Sequence, residues 1–323
     1  MDASPSELAQ ARDRAYALFA RLFQKGLTAD LLPLVTEIPE LADDAHLKNY
    51  DADRAGADHY ELFGFNVFPY ASVFLDESAT LGGRVTQNIL SVYHKSGFDV
   101  PLESESADHI ALQLQFLAFL SAAEGEALED GLVQVALSIN QLQRQFMDEH
   151  LLTWLPAFVL AIRQQQDVFH SNLADLTLEM VLHHRADLGN DLLAPETSFS
   201  LPPAPDLLAD QKTGLKEIAA YLVIPAYSGL YLSRRDITRL ARSQLLPRGF
   251  GSRQQMLTNL LRSSADYDHV PALLEDIRAL VAVWMQSYQS LAGSGAGRFA
   301  IVWQDRLEST DRLLSFLNKA IKN

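Results

Sequence analysis

Residues 106–121 have the sequence SADHIALQLQFLAFLS and indicate the fold more directly than any other stretch of the chain. From Ile110 to Leu120 apolar side chains occupy nearly every face of the expected helix, rather than one stripe. A helix that is apolar all round is stable only when other helices cover it. Ser106 can cap its first turn. The stretch therefore predicts a central, buried helix around which the others pack.

Helical signals continue on both sides of this stretch. Before it, Ser4 and Glu7 form a capping box, and Gly26 suits a helix exit. After it, Ser233 with Asp236 and Ser252 with Gln255 are typical helix starts. Helical periodicity also covers residues 132–162, 172–184, 268–289 and 303–319, with Pro156 starting or kinking a helix.

No strand or hairpin signal interrupts these helices, so the sequence predicts an all-α protein. Residues 189–206, GNDLLAPETSFSLPPAPD, are rich in proline and short polar residues and are typical of a linker. We expect a helical-bundle domain over residues 1–188, the linker over 189–206, and a second, smaller helical region over 207–323.

Composition and charge restrict the possible functions. The 323-residue chain has no cysteine, which excludes disulfides and thiolate chemistry and fits a reducing compartment. Its first residues lack a secretory pattern, and no apolar stretch reaches the roughly 20 residues of a membrane span. Residues 1–200 carry 11 basic and 30 acidic residues, against 15 and 11 in residues 201–323. An acidic first part favours basic partners and is a poor binder of nucleic acid.

No catalytic or metal-binding pattern stands out. His183 and His184 are adjacent, so they point about 100° apart on a helix and are expected at the surface rather than on a metal. Gly293, Gly295 and Gly297 lack the Lys-Ser/Thr ending of a phosphate loop. The residues alone predict a two-part helical protein, and without such a pattern we do not expect an enzyme.

Three separated stretches carry motifs of aromatic, proline and histidine residues. They are Tyr60-Glu-Leu-Phe63 with Phe68-Pro69-Tyr70-Ala-Ser72-Val-Phe74-Leu75, then Glu105-Ser-Ala-Asp108-His109, and Phe146-Met-Asp-Glu-His150-Leu-Leu-Thr-Trp154-Leu-Pro156. In order and spacing they resemble the TorD/DmsD/NarJ family of redox-enzyme maturation chaperones over residues 7–188. The second stretch departs from the family's Glu-Pro-x-Asp-His hinge, because no proline precedes Asp108.

The resemblance implies a function and partners. Family members bind the twin-arginine leader of a molybdopterin-dependent oxidoreductase and hold back its export until the cofactor is loaded. It implies a cytoplasmic chaperone, monomer or homodimer, whose partners are a molybdoenzyme catalytic subunit and its signal peptide. No permanently bound cofactor is expected, and a transient contact with molybdopterin or a guanine nucleotide stays open. The alternatives are a NarJ-like assembly factor for a leaderless subunit and, more distantly, a nucleotide- or nucleic-acid-binding helical protein.

The same resemblance nominates leader-binding residues. Asp108 can pair with a leader arginine, and His109 can adjust the local charge near neutral pH. An apolar wall would come from Tyr60, Phe63, Pro69, Tyr70, Phe74, Phe116 and Trp154. A structural role is the alternative for each, because helical aromatics usually pack inside and a carboxylate in a first turn favours the helix dipole.

Arginines cluster in the second region. Between Ser233 and Arg262 there are seven arginines and one acid, Asp236. Four of the arginines form a candidate phosphate- or partner-binding set: Arg234, Arg235, Arg239 and Arg242. The alternatives are docking on the acidic first region and, through the resemblance of Ser233-Arg234-Arg235-Asp236 to a twin-arginine motif, occupation of the leader site.

Overall fold

The computed structural model describes residues 4–42, 49–79, 81–100, 105–189, 199–209 and 213–322. Over these residues the regular structure is helical, and no strand occurs apart from one isolated bridge between Tyr70 and His109. The all-α prediction is confirmed. No helix in the described ranges is long and apolar enough to cross a membrane.

The first region contains ten α-helices within the described residues. They are α1 (Pro5–Lys25), α2 (Leu32–Val35), α3 (Pro39–Ala42), α4 (Ala52–His59), α5 (Ala71–Leu75), α6 (Gly83–Lys95), α7 (Ile110–Glu129), α8 (Val133–Phe146), α9 (Leu155–Arg163) and α10 (Val168–Asp187). A π-helical turn over Tyr60–Asn66, the Tyr60 turn, follows α4, and a second over Met147–Leu151 follows α8.

The second region continues with six helices in the part that the structure describes. They are α11 (Leu215–Val223), α12 (Pro225–Ser228), α13 (Arg234–Ser243), α14 (Arg253–Asp266), α15 (Val270–Leu291) and α16 (Gly297–Lys322). Both predicted capping boxes form, with Ser233 paired to Asp236 and Ser252 to Gln255. Half of the predicted linker, residues 190–198, lies outside the described residues.

Helix α7 is the central, buried element that its sequence predicts. Ile110, Leu114 and Phe116 are fully buried, and α1 lies along α7 in the most extensive helix pair of the described chain. The predicted start at Ser106 is wrong, because His109 caps the helix and Ser106 instead donates a hydrogen bond to the Asp108 carboxylate. The helix also continues to Glu129.

The two regions pack on one continuous apolar core. Tyr231 stacks on Phe74 with ring centroids 5.1 Å apart, and its hydroxyl accepts a hydrogen bond from the Phe68 backbone. The indole of Trp303 on α16 donates to the Thr153 carbonyl over 2.9 Å. Since these rings are buried, the second region covers surface that the first would otherwise expose.

A single glycine lets the chain pass tightly beneath α16. Gly229 has a φ of +79°, and a methyl group there would lie 2.7 Å from the Leu307 backbone nitrogen. The Gly229 carbonyl also accepts a hydrogen bond from the buried Tyr288 hydroxyl. Any side chain at this position would both strain the backbone and push α16 away.

Candidate functional site

The three stretches that carry the family motifs, which we call the signature stretches, converge in space. The Ala71 nitrogen donates to the Asp108 carbonyl over 3.1 Å, and the Ile110 nitrogen donates to the Pro69 carbonyl over 2.9 Å, which forms the bridge between Tyr70 and His109. Gln113 links this bridge to the third stretch, because its amide donates to the Asp108 carbonyl and its oxygen accepts from the Trp154 indole.

Asp108 is fully buried, and its carboxylate accepts three hydrogen bonds. The donors are the Ser72 backbone nitrogen at 2.9 Å, the Thr86 hydroxyl at 2.8 Å and the Ser106 hydroxyl at 2.6 Å. Ser72 belongs to α5 and Thr86 to α6. The carboxylate therefore ties these two helices to the segment before α7, and contact with a leader arginine would require this packing to open.

His109 is also buried, between the helix that it caps and the Tyr70 ring. Its Nδ1 accepts from the Ala111 nitrogen over 3.1 Å, so a neutral ring carries its proton on Nε2. Burial lowers the pKa of His109 to about 4, although the nearby carboxylates of Glu105 and Asp108 oppose the shift. The Tyr70 hydroxyl donates a hydrogen bond to Glu105. Burial is the main cause that raises the pKa of Tyr70, and this hydrogen bond raises it further.

The predicted apolar wall divides into buried and exposed members. Phe74, Phe116 and Trp154 are fully buried, and Phe63 and Pro69 are nearly so. Tyr70 is half-buried, and Tyr60 is 63% exposed with its ring edge-on to Phe65. In the folded chain a leader can therefore reach Tyr60 and part of Tyr70, while the other five side chains form the core beneath them.

An open cleft of about 630 Å³ lies beside this converged core, and sequence reasoning did not single out its lining. Its walls come from the end of α5, from α6, from the Met147–Leu151 turn and from residues 199–203 of the predicted linker. Apolar side chains on these walls include Leu75, Val85, Ile89, Phe199 and Leu201.

The cleft carries more acid than base. Asp76, Glu77 and Glu149 line it, against one arginine, Arg84. Burial is the main cause that raises the pKa of the half-buried Tyr227, and the negative charges of Glu77 and Asp76 raise it further. These two acids therefore also lie close to the second region. A usable signal was present in the sequence, because Asp76 and Glu77 directly follow the first motif and Glu149 lies within the third.

The predicted arginine set is largely engaged in contacts with the first region. Arg235 pairs with Glu61 on the Tyr60 turn and donates to the Gln165 carbonyl over 2.8 Å. Arg239 donates to the Gln164 carbonyl over 2.8 Å.

The other two arginines of the set differ from each other. Arg234 lies over the Phe65 ring at 5.8 Å, and Arg242 is exposed. Docking on the first region is therefore the alternative that the contacts of Arg235 and Arg239 favour.

The histidine prediction needs one correction. His184 is buried, not at the surface, where Tyr16 donates to its Nδ1 over 2.9 Å and its Nε2 donates to Gln143 over 3.2 Å. Two polar partners within the core satisfy both ring nitrogens, which the sequence pattern alone does not reveal. Within the described residues no group of three or more His, Asp or Glu side chains could hold a metal ion.

Comparison with known proteins identifies the family. A protein named chaperone protein TorD from Vibrio cholerae serotype O1 (strain ATCC 39315 / El Tor Inaba N16961) is 35% identical over 153 residues, which cover 45% of this chain and 67% of that protein. The chain belongs to the TorD family. The family profile described as nitrate reductase delta subunit matches residues 11–160, which include all three signature stretches.

Other TorD relatives are matched over a smaller share of their length. TorD from Vibrio cholerae serotype O1 (strain ATCC 39541 / Classical Ogawa 395 / O395) is 33% identical over 142 residues, 42% of this chain and 60% of that protein. TorD from Aliivibrio salmonicida (strain LFI1238) is 31% identical over 139 residues, 41% of this chain and 60% of the relative. No solved structure matches this chain.

Proposed function

We propose that this protein is a cytoplasmic chaperone, not an enzyme, that binds the twin-arginine leader and the apo form of a molybdopterin-dependent oxidoreductase. It would assist cofactor insertion and hold back export of the client until loading is complete. Membership of the TorD family supports the chaperone role, because the curated relatives carry that name. The acidic cleft beside the signature stretches is the observation that carries the leader-binding part.

The chemistry of the cleft matches the chemistry of a leader. A twin-arginine leader combines guanidinium groups with an apolar stretch, so a receptor needs carboxylates next to apolar side chains. Asp76, Glu77 and Glu149 provide the carboxylates. Leu75, Val85 and Phe199 provide apolar surface on the same walls.

Asp108 supports this cleft from behind rather than from its surface. Its carboxylate accepts from Ser72 on α5 and from Thr86 on α6, and these two helices supply one side of the cleft. Asp108 thereby fixes the distance between α5 and α6. We assign it the role of a positioning residue for the leader site.

Calorimetric titration with synthetic twin-arginine leaders tests the proposal. The wild-type protein should bind a client leader with micromolar or tighter affinity, and should bind a Lys-Lys version at least tenfold more weakly. Glu77→Gln with Glu149→Gln should weaken binding by about tenfold or more, because two charge-assisted contacts are lost. Glu126→Gln with Glu179→Gln, two exposed carboxylates outside the cleft, is the control with the same change in net charge.

A NarJ-like assembly factor is the second candidate, and the nitrate reductase delta subunit profile over residues 11–160 favours it. That function requires binding to a mature apoenzyme without a leader. Absence of leader binding, together with co-purification of a leaderless molybdoenzyme subunit, would replace the leader proposal by this one. Unchanged leader affinity in the Glu77/Glu149 variant would instead remove the cleft from the proposal.

Contact with the client's cofactor belongs to the same proposal. A transient contact with molybdopterin or a guanine nucleotide would need cationic side chains that are not already paired within the protein. Arg242 is exposed and meets this requirement better than Arg235, whose guanidinium already has two partners in the first region. Equilibrium dialysis with GTP, comparing wild type and Arg242→Gln, measures that contact directly.

A further inference from the structure

The loop over residues 244–251, which joins α13 to α14, exposes two large apolar side chains almost completely. Leu245 is 93% exposed and Phe250 is 91% exposed. No other exposed large hydrophobic side chain of the described residues exceeds 63%. An isolated apolar residue at a surface is ordinary, but two nearly unburied ones on an eight-residue loop are not.

The backbone at Leu245 makes this exposure costly. Leu245 has a φ of +54°, in the left-handed region that glycine or asparagine normally occupies after a helix. A bulky residue is strained there unless packing compensates, and its exposed side chain gains no packing. Folding stability alone therefore does not explain the leucine at this position.

Both ends of the loop are fixed, so the two side chains are held outward. Leu246 is buried, and its nitrogen donates to the Ala241 carbonyl over 2.8 Å. At the other end Ser252 caps α14, and the Arg253 guanidinium lies 4.3 Å from the Tyr231 ring centroid. Arg253 also donates to the Leu232 carbonyl over 3.2 Å.

Positive charge surrounds the loop. Arg242 and Arg248 are exposed, and the sequence has no Asp or Glu from residue 237 to residue 265. One carboxylate, Asp276, faces the base of the loop, where it accepts from Ser243 and Gln244. The net charge of the whole chain is -15, but a Debye length of about 8 to 10 Å confines the effect of distant acids.

We propose that residues 244–251 form a peripheral membrane-binding loop, which inserts Leu245 and Phe250 into a lipid surface carrying anionic headgroups. Two outward apolar side chains on a short loop fit the interfacial region of a bilayer, and neighbouring arginines fit anionic headgroups. A protein partner would instead need a contiguous patch of roughly 800 Å² per side. This inference is independent of leader binding.

Vesicle flotation with the full-length protein tests the proposal. We expect binding to vesicles of equal parts phosphatidylcholine and phosphatidylglycerol, and at least tenfold weaker binding to phosphatidylcholine alone. Leu245→Asn with Phe250→Ser should reduce binding to the anionic vesicles about tenfold, because asparagine tolerates the left-handed backbone. Val133→Ser with Leu137→Ser, which removes two exposed apolar side chains of α8, is the matched control.

Two further measurements separate insertion from charge attraction alone. Arg242→Gln with Arg248→Gln should weaken binding and flatten its dependence on salt. Phe250→Trp should show a blue shift in tryptophan emission when anionic vesicles are added. The proposal is overturned if the wild-type protein ignores anionic vesicles at low salt, if the Leu245/Phe250 variant binds like wild type, or if the emission of Trp at 250 does not shift.

Discussion

Two signature stretches of the first region, residues 105–109 and the Tyr60 turn, have opposite surroundings. Residues 105–109 face inward, so that Asp108 and His109 are buried and hydrogen-bonded within the fold. The Tyr60 turn faces outward, where Tyr60 is exposed and Glu61 forms an ion pair with Arg235 of the second region. The motifs of one family can therefore consist of residues that hold the core together as well as residues that remain at the surface.

The largest expected effect is on stability, from Asp108→Ala. Removing the carboxylate leaves the Ser72 nitrogen and two hydroxyls without their acceptor, so the free energy of unfolding should fall by about 3 kcal/mol. Urea denaturation measures this loss. Asp58→Ala, at a partly exposed carboxylate of α4 with one distant ion pair to Arg54, is the control and should cost less than about 0.5 kcal/mol. Wild-type stability with lost leader binding would make Asp108 a contact residue instead.

A pH series should show the burial of His109. Its folded pKa of about 4 lies below the usual unfolded value of about 6.5, so the unfolded state binds a proton first. Stability is therefore lost as pH falls from about 6.5 to about 4, at up to about 1.4 kcal/mol per pH unit for this group. His109→Asn keeps a helix cap and should flatten that slope. Parallel slopes for wild type and variant would contradict the inward position of His109.

A smaller effect is expected where the Tyr60 turn meets the second region. Arg235→Ala removes the pair with Glu61 and the bond to Gln165, and should lower the free energy of unfolding by about 1 kcal/mol, because the ion pair is partly exposed. Arg242→Ala, at an exposed arginine of the same helix, should change it by less than about 0.5 kcal/mol. Equal changes in thermal or urea unfolding would show that Arg235 does not join the two regions.

The smallest effect on stability is expected for Tyr60→Ala, within about 0.5 kcal/mol. If the turn contributes to the leader site, leader affinity should still fall roughly fivefold, because an exposed aromatic ring supplies apolar contact area. Tyr267→Ala removes a ring of nearly equal exposure from the second region and is the control. Leader titration with identical affinities for both variants would leave the Tyr60 turn outside the site.

Part of the candidate site was predictable from the sequence, and part was not. Asp108, His109 and Trp154 were nominated, and they do converge, through Gln113 and the bridge to Tyr70. The burial of Asp108 was not predicted, because periodicity does not tell which side of a helix a neighbouring element covers. A structural role was kept as the alternative for His109 and Trp154. The acids of the cleft were missed because Glu77 and Glu149 are far apart in the chain, and only the tertiary fold brings them to the walls of one cleft.

Local sequence determined the elements that depend on local interactions. The capping boxes at Ser4, Ser233 and Ser252 form as predicted, since side chain and backbone partners lie three residues apart. The all-round apolar character of α7 likewise fixed its central position. Tertiary structure alone decided that Arg235 faces Glu61, that His184 is enclosed by Tyr16 and Gln143, and that Leu245 and Phe250 remain outside the core. These outcomes depend on contacts between residues distant in the chain, which no local pattern encodes.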